Sequence, residues 1–198
     1  MTQSYLHSIT KEDIALLPLE EYTGRIFVID TLKEAEKAVR YLSGFPMVGF
    51  DTETRPSFKK GQHYKISLMQ ISTHDTCFLF RLNRIDIPES LEAFLTNANI
   101  LKIGLSLRDD FGAMRKRKEI KPANFLDLQA YVKQFGIEEA SLQKIYAILF
   151  HKKISKGQRL TNWEADVLSD AQKKYAALDA WACLQIYNQL KNHINDRA

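Results

Sequence analysis

The stretch Met47-Val48-Gly49-Phe50-Asp51-Thr52-Glu53 joins an apolar run directly to two carboxylates. Its apolar half is typical of a buried strand. Because side chains alternate between the two faces of a strand, Asp51 and Glu53 are expected to point the same way. Two like charges on one face repel each other unless a partner neutralises them, and Mg²⁺ prefers carboxylate oxygens. The stretch therefore predicts a strand that ends either at a metal site or simply in solvent.

A second acidic pair follows another apolar run. Residues 100–105 predict a strand and residues 108–118 predict a helix, with Asp109 and Asp110 near the start of that helix. One of the two aspartates can cap the helix N-terminus, which leaves the other free for a different role. This pattern by itself does not decide which aspartate has which role.

A third element lies on the long helix predicted for residues 169–192. Tyr175 and Asp179 are four residues apart, so they share one face of this helix. Several alanines around them would let the helix approach a sheet closely. The plainer interpretation of the pair is a half-buried tyrosine beside a surface aspartate.

Taken together, the three elements predict a site that none of them predicts alone. Four carboxylate oxygens from three elements can hold two divalent cations about 3.5–4 Å apart. Mg²⁺, or Mn²⁺, fits such a site because it takes oxygen ligands and completes its shell with water and substrate phosphates. Two such cations would hold the attacking and leaving oxygens of a phosphoryl displacement.

Three segments, in the same order along the chain, resemble the motifs of the DEDDy 3′–5′ exonucleases, most closely those of the ribonuclease D and Werner syndrome exonuclease type. These segments are residues 50–53, 102–110 and 175–180. Flanking residues also agree, namely 67–72, 77–80, Asn162-Trp163-Glu164 and Gln172. The resemblance covers about residues 25–192. It implies an α/β domain with an RNase H-like fold, in which helices flank a central five-stranded mixed sheet.

The resemblance also implies roles for individual residues. It makes the metal-binding carboxylates Asp51, Glu53, Asp110 and Asp179. It makes Tyr175 the group that orients the attacking water. Asp110 is preferred to Asp109 because the apolar residues that follow it match the family pattern. The implied activity is hydrolysis of phosphodiester bonds at the 3′ end of DNA or RNA, with release of nucleoside 5′-monophosphates.

Basic residues near the last motif are candidate contacts to a nucleic acid. The chain has 28 Lys and Arg against 24 Asp and Glu, a net charge of +4. Lys156 and Arg159 lie closest in sequence to the last motif, so they are predicted to bind phosphates. For Trp163 the sequence favours packing against the last helix, with stacking on a terminal base as the alternative role.

Two other functions remain open at this point. The first is a catalytically silent module that binds nucleic acid with the same fold. The second is a phosphodiesterase that acts on short oligonucleotides. Because all four carboxylates and the tyrosine are present, the sequence favours the exonuclease.

The composition indicates one globular domain, predicted over residues 23–198 after an N-terminal extension over residues 1–22. No apolar run approaches the roughly 18 residues that a membrane span requires. The first residues do not resemble a secretory signal, and two cysteines far apart in sequence favour a reducing compartment. We therefore expect a cytoplasmic protein that does not bind membranes.

Overall fold

The computed structural model describes residues 5–195, and side chains up to residue 192. Residues 1–4 of the predicted extension and 196–198 of the predicted domain lie outside this range. The strands are β1 (Arg25–Ile29), β2 (Met47–Thr54), β3 (Ile66–Ser72), β4 (Thr76–Phe80), β5 (Leu101–Gly104) and β6 (Phe125–Asp127). The helices are α1 (Lys11–Leu16), α2 (Leu32–Leu42), α3 (Leu82–Ile85), α4 (Glu89–Leu95), α5 (Leu107–Arg115), α6 (Leu128–Tyr131), α7 (Leu142–Phe150) and α8 (Asp170–Asn195). A 3₁₀ turn over Val132–Phe135 follows α6.

The strands form one mixed sheet in the order β1-β4-β3-β2-β5-β6. β3 runs antiparallel to both of its neighbours, β2 and β4, whereas the other neighbouring pairs are parallel. The predicted mixed sheet with flanking helices is confirmed. The predicted number of five strands is wrong, because β6 pairs with β5 and makes six. The number five was implied by the family resemblance, whereas the short segment Phe125–Asp127 forms a sixth strand at the edge of the sheet.

Each face of the sheet buries its own apolar layer. Helices α7 and α8 cover one face, and helices α2, α4 and α5 cover the other. Val48 and Phe50 belong to the layer under α2, α4 and α5. Since side chains alternate along a strand, Asp51 and Glu53 face the α8 side. The sheet thus delivers both carboxylates to the side of the molecule that α8 covers.

The segment before β1 packs onto the domain. The Glu20 amide donates to the Lys153 carbonyl at 2.9 Å, and the Lys153 amide donates to the Pro18 carbonyl at 2.9 Å. The Tyr146 hydroxyl donates to the Glu20 carboxylate at 2.7 Å. The predicted boundary between residues 22 and 23 stays a prediction, but the residues just before it are held by the loop after α7.

No helix in the described part of the chain is both long and apolar enough to cross a membrane; even α8, at 26 residues, is too polar.

Candidate active site

Helix α8 brings a third carboxylate to the two on β2. The helix crosses β2 at Gly49, where a Cβ atom would lie 1.9 Å from the carbonyl oxygen of Ala180. Only glycine permits this approach, and Asp179 immediately precedes Ala180. One carboxylate oxygen from each of Asp51, Glu53 and Asp179 lies within 4.8 Å of the other two. The predicted motifs on β2 and α8 therefore meet as one acidic cluster.

The remaining predicted carboxylate lies beside this cluster, on α5. Asp110 is half-buried, and its side chain accepts a hydrogen bond from the hydroxyl of Thr52. Burial is the main cause of the raised pKa values of Asp51 and Glu53, and other nearby acids come next. The charge of Asp110 raises both pKa values further. Asp109 is exposed instead. The structure thus directs Asp110, and not Asp109, toward the cluster, and it adds Thr52, which the sequence did not mark.

All four carboxyl groups hold their protons more tightly than usual. Burial is the largest cause in each case, and repulsion between the acids adds to it for Asp51 and Glu53. The pKa of Asp51 lies well above its ordinary value, that of Glu53 is about 9, that of Asp179 about 7 and that of Asp110 about 6. Clustered oxygen donors fit hard divalent cations such as Mg²⁺ and Mn²⁺, whose charge would reverse these shifts.

Tyr175 lies one helical turn before Asp179. Its hydroxyl donates a hydrogen bond to the Asp179 carboxylate, and its ring centroid lies 6.0 Å from that of Trp163. Burial, followed by the charges of Asp179, Glu53 and Asp51, raises the pKa of Tyr175 far above its usual value near 10. The phenol therefore stays protonated at neutral pH. It can orient a polar ligand by hydrogen bonding, but it cannot act as a general base.

The two predicted phosphate contacts face the acidic cluster from the segment between α7 and α8. Burial raises the pKa values of Asp179 and Glu53, and the two cations oppose this effect. The charge of Lys156 lowers the pKa of Asp179, and the charge of Arg159 lowers that of Glu53. Both cations line a cavity of about 320 Å³ together with Tyr175 and Asp179. The cavity therefore combines one carboxylate of the acidic cluster, a tyrosine and two cations.

Gln172 fixes the segment that carries these cations to α8. Its side-chain amide donates to the Thr161 hydroxyl at 3.0 Å and to the Asn162 carbonyl at 3.2 Å. Its side-chain oxygen accepts from the Ser169 amide at 3.0 Å. Gln172 therefore couples the first turn of α8 to the segment before it.

Trp163 does not reach the surface of the cavity. Its exposed fraction is 0%, and it packs against Tyr175. A nucleobase cannot stack on a ring that has no accessible face. The nucleic-acid contact predicted for Trp163 is therefore wrong, and packing against the last helix is the role that the structure gives it.

Five further polar residues line the cavity and were not predicted as site residues. They are Ser106 before α5, Gln129 on α6, Ser141 just before α7, Gln143 on α7 and Ser155 after α7. Ser106 lies within the motif segment 102–110 but carries no predicted role there, and the others are ordinary polar residues outside the motifs. Only the folded arrangement of α5, α6, α7 and the loop after α7 brings them together, so no local pattern could have identified them.

Comparison with known proteins agrees with this geometry. A family model described as 3′-5′ exonuclease matches residues 26–195. The chain is 30% identical over 186 residues to the bifunctional 3′-5′ exonuclease/ATP-dependent helicase WRN of Mus musculus, a match that covers 89% of this chain and 13% of that protein. The chain thus corresponds to a small part of this relative.

Solved structures share the fold. The EXO domain of Nibbler from Aedes aegypti superposes with a TM-score of 0.76 at 22% identity, over 91% of this chain and 92% of that one. Ribonuclease D of Trypanosoma brucei in complex with RNA U12 superposes with a TM-score of 0.75 at 21% identity, over 85% of this chain and 63% of that one. With the family model matching from β1 to the end of α8, the chain belongs to the 3′–5′ exonucleases of the DEDDy type.

Proposed function

We propose that this enzyme releases nucleoside 5′-monophosphates from the 3′ end of single-stranded DNA or RNA, and that it requires two divalent cations, Mg²⁺ or Mn²⁺. The proposed ligands are Asp51, Glu53, Asp110 and Asp179. The observation that carries the proposal is the acidic cluster of Asp51, Glu53 and Asp179, whose member Asp179 lines a cavity together with Tyr175 and two basic side chains. The solved complex of Trypanosoma brucei ribonuclease D with RNA supports a nucleic-acid substrate.

The residues of the cavity would divide the work as follows. When bound, divalent cations supply Lewis acidity and lower the pKa of a water ligand. The Tyr175 hydroxyl would hold the attacking water in line with the scissile phosphorus. Lys156 and Arg159 bind the phosphate oxygens of the strand. Because Glu53 and Asp179 hold protons in the metal-free state, binding of the cations is expected to release protons.

The test uses DNA and RNA of one sequence, single-stranded and labelled at the 5′ end. With Mg²⁺ or Mn²⁺, the wild-type protein should produce a ladder of fragments that shorten from the 3′ end. Chromatography should identify nucleoside 5′-monophosphates as the products, and EDTA should abolish the reaction. Running both polymers side by side determines which one is preferred.

Two neighbouring aspartates provide a matched pair of variants. Asp110→Ala removes a proposed ligand, so activity should be lost, as it should be in the double variant Asp51→Ala, Glu53→Ala. Asp109→Ala removes an exposed carboxylate one residue away and should retain activity. A wild-type protein that binds the strands but never shortens them would instead indicate a silent binding module. Cleavage confined to dinucleotides would indicate a phosphodiesterase for short oligonucleotides.

A further inference from the structure

One carboxylate outside the acidic cluster binds the N-termini of two helices. Asp127 is the last residue of β6 and pairs with Gly104 at the end of β5. Its Oδ1 accepts from the Gln129 amide at 2.9 Å and from the Ser106 amide at 3.1 Å, and its Oδ2 accepts from the Leu107 amide at 3.0 Å. The first bond caps α6, and the other two cap α5.

Helix α5 depends on this distant cap because its own N-cap residue provides none. The side chain of Ser106 makes no capping hydrogen bond, and its φ of +61° is left-handed, which is unfavourable for a residue other than glycine. The turn is also tight, since a Cβ on Gly104 would lie 2.5 Å from Cδ2 of Leu107. Asp127 therefore holds the β5–α5 turn in a conformation that its own residues do not favour.

The place of this turn determines where Asp110 lies. Asp110 follows Leu107 by three residues, so it lies within one helical turn of the amide groups that Asp127 binds. On its other side, Asp110 accepts the hydrogen bond from Thr52 on β2. A shift of the α5 N-terminus would therefore move Asp110 relative to the carboxylates of β2.

We propose that Asp127 is a positioning residue, which sets the place of Asp110 and thereby the affinity for the divalent cation that Asp110 helps to hold. This inference rests on the proposed function. Both carboxylate oxygens of Asp127 are engaged by backbone amides, and Asp127 does not belong to the cluster of Asp51, Glu53 and Asp179. It acts through the α5 backbone and not as a ligand.

The experiment is a calorimetric titration of Mn²⁺ into the metal-free protein. In Asp127→Asn, one acceptor oxygen becomes an NH₂ group, which cannot accept from a backbone amide. The binding step that needs Asp110 should weaken about 10–100-fold, as is usual when a group that orients a metal ligand is lost. The step supported by Asp51, Glu53 and Asp179 should change much less.

A double-mutant cycle separates positioning from the simple loss of a nearby negative charge. If Asp127 acts through Asp110, Asp127→Asn should have no further effect on Mn²⁺ affinity in an Asp110→Asn background. A general charge effect would persist in that background, and it would overturn the inference. Asp127→Glu serves as a second variant if Asp127→Asn does not fold. It keeps the charge but lengthens the side chain, so it too should bind Mn²⁺ more weakly than the wild type.

Thr31→Ala is the matched control for the loss of a helix cap. Thr31 caps α2 through a reciprocal pair of bonds with Glu34, and α2 lies on the face of the sheet opposite α8. This variant should lose thermal stability without any change in Mn²⁺ binding. Unchanged Mn²⁺ binding in Asp127→Asn, or no binding by the wild type, would refute the positioning role. Normal Mn²⁺ binding by a wild type without nuclease activity would refute only the proposed function.

Discussion

The ring and the hydroxyl of Tyr175 have separate roles. The ring packs against the fully buried Trp163, whereas the hydroxyl donates to Asp179 within the cavity. Tyr175→Phe keeps the ring and removes only the hydroxyl. We expect kcat to fall about 100-fold, because the attacking water loses the group that aligns it.

The measurement for Tyr175→Phe is steady-state cleavage of a single-stranded oligonucleotide, together with thermal unfolding. The unfolding temperature should stay close to that of the wild type, because the packed ring is retained. A kcat equal to that of the wild type would show that Tyr175 is a packing residue only.

Lys156 and Arg159 should act through charge and not through the chemical step. Each phosphate that a cation neutralises contributes about −0.7 to the slope of log affinity against log salt for a single strand. Lys156→Ala and Arg159→Ala should each reduce the magnitude of this slope by about that amount. Fluorescence anisotropy in the Asp51→Ala, Glu53→Ala background measures binding without cleavage.

The control for this prediction is Lys37→Ala. Lys37 is exposed on α2, on the opposite face of the sheet, so its removal should leave the slope unchanged. If all three variants change the slope equally, binding follows the net charge of the chain and not the proposed phosphate contacts.

At the level of elements, the crossing of α8 over β2 assembles the acidic cluster. A Cβ at position 49 would overlap the Ala180 carbonyl oxygen, which is backbone and cannot rotate away. Gly49→Ala should therefore destabilise the protein by about 3 kcal/mol, at the upper end of overpacking costs. It should also weaken binding of divalent cations, because α8 carries Asp179 away from Asp51.

Gly112→Ala is the control, since Gly112 lies in α5 and a Cβ there meets nothing within 4 Å. This change should raise stability by up to about 1 kcal/mol through helix propensity. Thermal and urea unfolding measure both effects. If Gly49→Ala is as stable as the wild type and binds Mn²⁺ normally, the close approach of α8 to β2 does not matter for the site.

Element length explains what the sequence could and could not predict. β2 and α8 are long enough to show their period, so the alternation at Asp51 and Glu53 and the spacing of Tyr175 and Asp179 were read correctly. The predicted number of five strands came from the family resemblance, and the three-residue strand β6 makes six. The double cap by Asp127 also escaped prediction, because hydrogen bonds between residues about 20 apart leave no local pattern.

For the whole molecule, the acidic cluster links stability to pH. A carboxyl group with a higher pKa in the folded state than in the unfolded chain, where it is near 4, binds its proton more tightly when folded. Its contribution to stability is full below about pH 4 and is lost as the pH rises through the folded-state pKa. Burial raises the pKa of Asp110 to about 6 and that of Asp179 to about 7. The metal-free protein should therefore lose stability between pH 5 and pH 7.5.

A single carboxyl group whose pKa is raised by one unit contributes about 1.4 kcal/mol, or roughly 3–5 °C of unfolding temperature for a chain of this size. We expect at least this drop in EDTA from pH 5 to pH 7.5, and its reversal by Mg²⁺ at the upper pH. The pH range of the experiment ends at 7.5 because burial lowers the pKa of Lys102 to about 8, and that group would begin to titrate above this range.

The double variant Asp51→Asn, Glu53→Gln removes two of the carboxyl groups with raised pKa values, so its unfolding temperature should depend less on pH. Equal slopes in this variant and in the wild type would mean that the pH dependence does not arise from Asp51 and Glu53, and would contradict the prediction.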